Sequence, residues 1–166
     1  MSVNPQFVRK KSFYLVGEDR YTANGISDIR EAWDALHRRL EEIRSRVPSG
    51  ALLGFEDYSR ETQMKPGQFP EFHYIAAAEV ERIEDVPGGM YAKEVPEATY
   101  AVFSYRGPIS SLSGMFRYIY DEWFPSSGYK LDPKVQADFE YYTEQITDWS
   151  NASIEIYIPV VTLTGE

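Results

Sequence analysis

The sequence predicts an α+β domain built from two βαββ halves related by a pseudo-twofold. The halves form an antiparallel sheet with helices on one face and a ligand cleft between them. Two observations predict this architecture. The order strand, helix, strand, strand can be read twice along the chain. Three short matches then link the two copies: Phe55-Glu56-Asp57-Tyr58 with Phe139-Glu140-Tyr141-Tyr142, Gly25-Ile26-Ser27 with Gly107-Pro108-Ile109-Ser110, and Tyr74-Ile75 with Tyr157-Ile158. All are separated by about 82 to 84 residues, close to half of the 166-residue chain, which is too long and too few for a solenoid. One domain is therefore expected over residues 1–166, with a first half at about 7–84 and a second at about 89–166.

Each element has its own signal. Phe13 to Ala23 reads as a strand closed by the turn pair Asn24-Gly25. Ser27-Asp28, with Glu31 placed for a capping box, opens a helix whose apolar stripe is Ile29, Trp33, Leu36, Leu40, Ile43 and Val47. Arg30, Asp34, Arg38, Glu42 and Arg46 form its solvated face, and Pro48-Ser49-Gly50 ends it. Strands at Ala51–Tyr58 and Glu71–Val80 complete the first half. In the second, Met90–Tyr105 is extended, with a break at Val95-Pro96, and Arg106-Gly107-Pro108 turns the chain into a helix over Ile109–Phe124. Its apolar face is Leu112, Met115, Phe116, Ile119 and Trp123. Pro125–Pro133 reads as a loop, followed by an extended segment at Phe139–Glu144 and a last strand at Ile154–Thr164.

Composition narrows the function classes. Hydrophobic and charged contents of 43% and 26% are those of an ordinary soluble domain with a real core. No apolar run approaches a membrane span, and the N-terminus lacks the layout of a signal peptide, so a cytoplasmic address is the default. The absence of cysteine excludes disulfides, thiolate nucleophiles and thiolate metal sites. A net charge of -9 with scattered basic residues argues against direct nucleic-acid binding. His37 and His73 have no partners at metal-ligand spacing, no serine lies in a nucleophile elbow, and the glycines form neither a P-loop nor a dinucleotide fingerprint. No metal or cofactor is expected. The unusual entry in the composition is 15% aromatic residues, rich in tyrosine, which points to binding surfaces as well as core.

Candidate site residues follow from strand faces. Along the last strand Ile154, Ile156 and Ile158 share one face, while Glu155, Tyr157 and Pro159 share the other. A carboxylate beside a ring is what a site for flat or cationic organic molecules requires. Glu140 and Tyr142 share a strand face at i, i+2, and Phe103 and Tyr105 share a face of another strand. Trp123 lies on the helix stripe, where core packing competes with ligand contact, and Tyr118 and Tyr120 lie off its centre. Aligning the tyrosines of the repeat sets Glu155 against Phe72, and a one-residue slip sets it against Glu71. The first alignment leaves the acid without a counterpart and the cleft asymmetric.

Three motifs carry a family resemblance: Tyr105-Arg106-Gly107-Pro108-Ile109 leading into Tyr118-Ile119-Tyr120-Asp121-Glu122-Trp123, then Phe139-Glu140-Tyr141-Tyr142, then Ile154-Glu155-Ile156-Tyr157-Ile158-Pro159. In order and spacing they resemble the GyrI-like small-molecule-binding domain, also known as the AraC-type or bacterial transcription-activator effector-binding domain. The resemblance covers about the last 75 residues. It implies a duplicated βαββ architecture, a pocket between the halves, and a last-strand acid, here Glu155, that meets hydrophobic and often cationic ligands. The first strand begins within about a dozen residues of Met1, leaving no room for a helix-turn-helix, so a stand-alone module without a DNA-binding domain is expected.

Two function classes remain. The first is a binding protein for hydrophobic drugs or toxins, cationic ones among them, with an aromatic cleft formed from Glu155, Tyr157, Tyr142, Trp123, Tyr118, Tyr120, Tyr105 and Phe103. The second, whose substrate class the resemblance implies, is a cofactor-independent hydrolase of cyclopropane-bearing alkylating toxins, in which Glu155 or Glu140 would activate water. Inhibition of a protein partner such as gyrase, which the resemblance also brings in, is a distant third that needs an acidic DNA-mimicking patch. The chain gives no specific sign of such a partner.

Overall fold

A computed structural model of the chain describes residues 4–142, 148 and 150–164. Its strands are β1 (Gln6–Lys10), β2 (Phe13–Tyr21), β3 (Leu52–Asp57), β4 (His73–Val80), β5 (Tyr91–Val95), β6 (Ala98–Gly107), β7 (Tyr129–Leu131), β8 (Ala137–Tyr142) and β9 (Ala152–Thr162). They form one curled antiparallel sheet in the order β1-β6-β9-β8-β3-β4-β2-β5, with β7 added beside the end of β9. The order is the mark of the duplication. β8-β9-β6 mirrors β3-β4-β2, and the halves meet edge to edge at β3 and β8, where Phe55 pairs with Phe139.

That ladder sets the repeat register. Glu56 pairs with Tyr74 on β4, and its repeat mate Glu140 pairs with Ile156 on β9. Tyr74 is thus the counterpart of Ile156, and His73 that of Glu155. The two alignments drawn from sequence, to Phe72 or Glu71, are each displaced by a residue or two. Tyrosine identity at Tyr74 and Tyr157 is a weaker guide than hydrogen-bond pairing, because a slip of one residue costs little in sequence similarity but reverses every side chain.

Alternation along the strands produces two buried layers. One face of the sheet curls around Leu15, Leu53, Phe55, Ile75, Tyr100, Val102 and Phe139, and this core contains no helix residue. Phe139 is stacked between Phe55 (5.9 Å) and Tyr157 (5.0 Å), with Phe13 and Tyr100 edge-on. The other face carries the helices. Here α1 (Ile26–Arg39) buries Ala32, Ala35 and Leu36 against β2 and β4. A second helical stretch packs on β6 and β9 around Phe103, Ile119, Ile156 and Ile158. It runs from a 3-10 turn (Ile109–Ser111) through α2 (Leu112–Tyr118) and a π turn (Ile119–Trp123) to α3 (Phe124–Ser127). Pro125 has no N–H to donate and crowds the preceding turn, and a widened turn just before it accommodates both.

Several boundaries differ from the sequence reading. α1 and its closing 3-10 turn stop at Glu42, not at Val47. Beyond Ile43 the chain bonds to the end of β4 instead, Val47 N donating to the Glu79 carbonyl (3.1 Å) and Glu81 N to that of Ser45 (2.8 Å). Tertiary pairing overrides the helical period there. The capping box does not form, since no side chain caps the helix and Glu31 pairs with Arg20 at 3.1 Å. The anticipated loop after Phe124 contains the last helical turn and β7. β1, which the sequence reading did not identify, pairs with β6. Thr143 and Glu144, expected to extend β8, lie outside the described residues. Among the described residues no helix is long and apolar enough to cross a membrane.

Candidate functional site: a buried carboxyl cluster between the helices

Because α1 lies over β2 and β4 while the second helical stretch lies over β6 and β9, the middle strands β8 and β3 form the floor between them. Their helix-facing residues are Gly54, Glu56 and Tyr58 from one half and Asp138, Glu140 and Tyr142 from the other. Gly54 lies opposite Glu140, and Glu56 opposite Asp138. Three carboxyl groups thus converge, with Glu56 9% exposed, Asp138 0% and Glu140 6%.

Tyrosines surround them. Asp138 Oδ2 accepts from the Tyr58 hydroxyl at 2.9 Å and the Tyr120 hydroxyl at 2.5 Å. Glu140 Oε1 accepts from Tyr74 (3.2 Å) and Tyr142 (3.3 Å), and the indole N–H of Trp33 donates to the Tyr74 hydroxyl at 2.9 Å. Trp33 and Tyr142 also meet edge to face at 5.4 Å. Gly54 makes the geometry possible, since a Cβ there would lie 2.0 Å from the Tyr74 hydroxyl. The elements that deliver these groups are β3, β4, β8, α1 and the π turn, whose widened backbone carries Tyr120.

The three carboxyl groups are held without a counter-ion. Among the described residues no ion pair reaches Glu56, Asp138 or Glu140. Burial raises Glu56 well above the usual carboxylate range, and the charges of Asp138 and Glu140 raise it further. Burial pushes Asp138 up to about 6 against the lowering effect of hydrogen bonds from Glu56, Tyr120 and Tyr58. Glu140 is raised by burial too, against hydrogen bonds from Glu56, Tyr74 and Tyr142. Glu56 Oε1 and Asp138 Oδ1 are buried and receive no hydrogen bond from any other group, although Glu56 lies in hydrogen-bonding contact with both neighbouring acids. Two facing carboxyl oxygens attract only when a proton lies between them. Cores rarely tolerate such an arrangement without a use for it. The described residues offer no group of His, Cys, Asp and Glu suited to hold a metal ion.

The residues singled out from sequence divide. Glu140, Tyr142 and Tyr120 come together at this cluster. Phe103 is fully buried beneath Trp123 (5.1 Å, edge to face), and Trp123 also stacks on Tyr129, so both belong to the core under the second helix. Tyr105 donates to the Pro108 carbonyl at the turn, and Tyr118 packs against the same helix-side core. Glu155 is exposed and, with Tyr157, lies on the opposite face of the sheet, where Tyr157 packs against Phe139 and Tyr100. The sequence reading did not select Glu56, Asp138, Tyr58, Tyr74 or Trp33. A signal was present for two of them: Glu56 and Tyr58 are the repeat mates of Glu140 and Tyr142, so a role given to one copy extends to the other. Beside the cluster, Tyr120 also lines an open apolar depression of about 400 Å³ with Phe124, Pro125, Tyr129, Leu131 and Leu163.

The structure is thus a duplicated sheet with aromatic residues and three buried acids between its helices. Comparison with known proteins gives the family. The profile of the GyrI-like small molecule binding domain matches residues 4–161, and the chain belongs to that family. It is 29% identical over 161 residues to the transcriptional regulator BrlR of Pseudomonas aeruginosa, matching 96% of this chain and 56% of that protein. The chain thus spans little more than half the length of that relative. Among solved structures, the C-terminal domain of EcmrR superposes with a TM-score of 0.72 at 15% identity, covering 98% of this chain and all of that one. SAV2435 bound to tetraphenylphosphonium superposes with a TM-score of 0.70 at 16% identity, covering 95% and 94%. At these identities the superpositions show the shared fold.

Proposed function

We propose that this domain binds hydrophobic organic cations over β3 and β8, with Glu140 as the central counter-charge and the rings of Trp33, Tyr74, Tyr120 and Tyr142 as the wall. One observation carries the reading: Glu56, Asp138 and Glu140 are buried together, and among the described residues no cationic side chain is paired to them. An unpaired buried charge is costly, and a ligand cation removes that cost while aromatic faces supply dispersion and cation–π attraction. The bound state of SAV2435 supports the choice of ligand class, since tetraphenylphosphonium is a hydrophobic cation with no hydrogen-bond donor. The family supports small-molecule binding in general.

The test is tetraphenylphosphonium titration followed by tryptophan fluorescence and calorimetry. Saturable binding is expected, weakened at least about tenfold in Glu140→Gln, the loss of one partly desolvated charge contact. Glu155→Gln, altered on the opposite face, is expected to bind within about twofold of wild type. A loss confined to Glu155→Gln would overturn this placement and return the site to the last strand. Hydrolysis of a strained-ring alkylator is the alternative use of the same acids, and ring-opened product by mass spectrometry would reveal it.

A further inference from the structure

We infer that Glu56 carries a proton in the empty site and releases it to solvent when a cation enters, so that binding exchanges a proton for a ligand. The inference rests on the cation-binding reading above and concerns how the site balances its charge.

The argument is a donor count. Four tyrosine hydroxyls are aimed at the cluster, and all four go to the outer acids: Tyr58 and Tyr120 to Asp138, Tyr74 and Tyr142 to Glu140. None goes to Glu56, the acid that touches both others. Hydroxyl donors stabilise an anion, so Asp138 and Glu140 are solvated as carboxylates. Among the described residues, Glu56 receives no tyrosine donor. The arrangement closes when Glu56 is the carboxylic acid and donates its own proton to a neighbour, which also satisfies the orphaned oxygens Glu56 Oε1 and Asp138 Oδ1.

Among the described residues, the groups around Glu56 offer no other way to neutralise it. They are Tyr58 after β3, Tyr74 on β4, Asp138, Glu140 and Tyr142 on β8, and Tyr120 on the π turn. From α1 comes Trp33, with the exposed His37 stacked on it at 5.9 Å. No Lys or Arg is among them.

A cation placed among the three acids opposes the repulsion that keeps the proton on Glu56. One unit charge at contact distance in such a setting lowers a carboxyl's proton affinity about a thousandfold. The O–H bond of Glu56 then breaks, the proton leaves to buffer, and the carboxylate joins Glu140 and Asp138 around the ligand. Repeat symmetry fits this role, since Glu56 and Glu140 are equivalent across the axis and differ in the donors supplied to them.

The experiment is calorimetric titration of the wild-type protein with tetraphenylphosphonium at pH about 7, in buffers of differing ionisation enthalpy, with Glu56→Gln alongside. Wild type is expected to release close to one proton per cation and to bind up to about tenfold more tightly per unit rise in pH while Glu56 is protonated. Glu56→Gln is expected to release none, with a flat pH profile. Binding by wild type without proton release refutes the exchange and leaves the cation site standing, as does equal release from Glu56→Gln. No binding at any pH refutes the cation reading and the exchange with it. Infrared difference spectroscopy gives a second readout: a protonated-carboxyl band in the free protein that disappears on ligand saturation and is missing in Glu56→Gln. If Glu56→Gln retains that band undiminished, the proton belongs to another acid and the proposal fails.

Discussion

Gly54 is the position where one added methyl group tests the whole site. In Gly54→Ala the new Cβ would lie 2.0 Å from the Tyr74 hydroxyl, 2.9 Å from its Cζ and 3.0 Å from Glu140 Oε1. Tyr74 is 1% exposed and its ring is held by the β4 backbone and by Trp33, so it cannot swing aside without breaking its own contacts. The displaced hydroxyl gives up a bond to a carboxyl, about 1.5–3 kcal/mol, and one to an indole N–H, about 1 kcal/mol, while overpacking costs about 1–3 kcal/mol more. The sum is roughly 3.5–7 kcal/mol, a large part of a typical domain's stability. For a chain of this size that means a fall in Tm of roughly 10 °C or more. Urea and thermal unfolding measure it. Gly54→Ala combined with Tyr74→Phe removes the shortest clash, so the double variant is expected to be more stable than the sum of the single losses predicts. A Gly54→Ala protein within about 0.5 kcal/mol of wild type would refute the close approach of Tyr74 to Glu140.

Two further predictions concern stability. Glu56, Asp138 and Glu140 all hold protons more tightly when folded than when unfolded, so the folded state binds more protons. Their stabilising contribution is complete below the ordinary carboxylate range and is lost as pH rises through their folded values, about 6 for Asp138, with Glu56 held well above the usual carboxylate range by burial and the neighbouring acids. The unfolding free energy is therefore expected to fall between about pH 5 and about pH 7 by up to about 1.4 kcal/mol per pH unit for each proton difference, Tm falling with it, and Glu56→Gln to flatten the slope; a wild-type Tm that rises across this window would contradict the assignment. On the other face, Phe139→Ala empties the aromatic stack between Phe55 and Tyr157 and is expected to cost about 3–5 kcal/mol in urea unfolding. A cost below about 1 kcal/mol would mean that the site can collapse to fill the void.

How much of this was legible in the sequence follows from the range of each interaction. The duplicated strand-helix-strand-strand order, the helical stripe through Trp33 and Leu36, and the match of Phe55-Glu56 to Phe139-Glu140 depend on local period or on repetition, which one chain displays by itself. The second helix was also legible, but the π turn within it was not, because Pro125 alone does not say how the helix will accommodate it. Glu140 and Tyr142 could be paired as i, i+2 neighbours on one strand. Their joining with Glu56, Tyr58, Tyr74 and Trp33 could not be read, since that depends on β3 lying against β8 in a register where Phe55 meets Phe139.

By itself, then, the sequence determined two halves, two helices and an excess of tyrosine, because alternation, helical period and repeated motifs are properties of neighbours along the chain. Tertiary structure alone decided which acids share a site. Glu155 and Glu140 look alike on paper, a carboxylate near tyrosines in a strand. Pleating and pairing turn Glu155 to an exposed position and Glu140 inward to meet Glu56 across the axis. The physical reason is that a strand's facing and register are set by hydrogen bonds to strands distant in sequence, and only those partners distinguish an exposed carboxylate from one buried among other acids and hydroxyl donors.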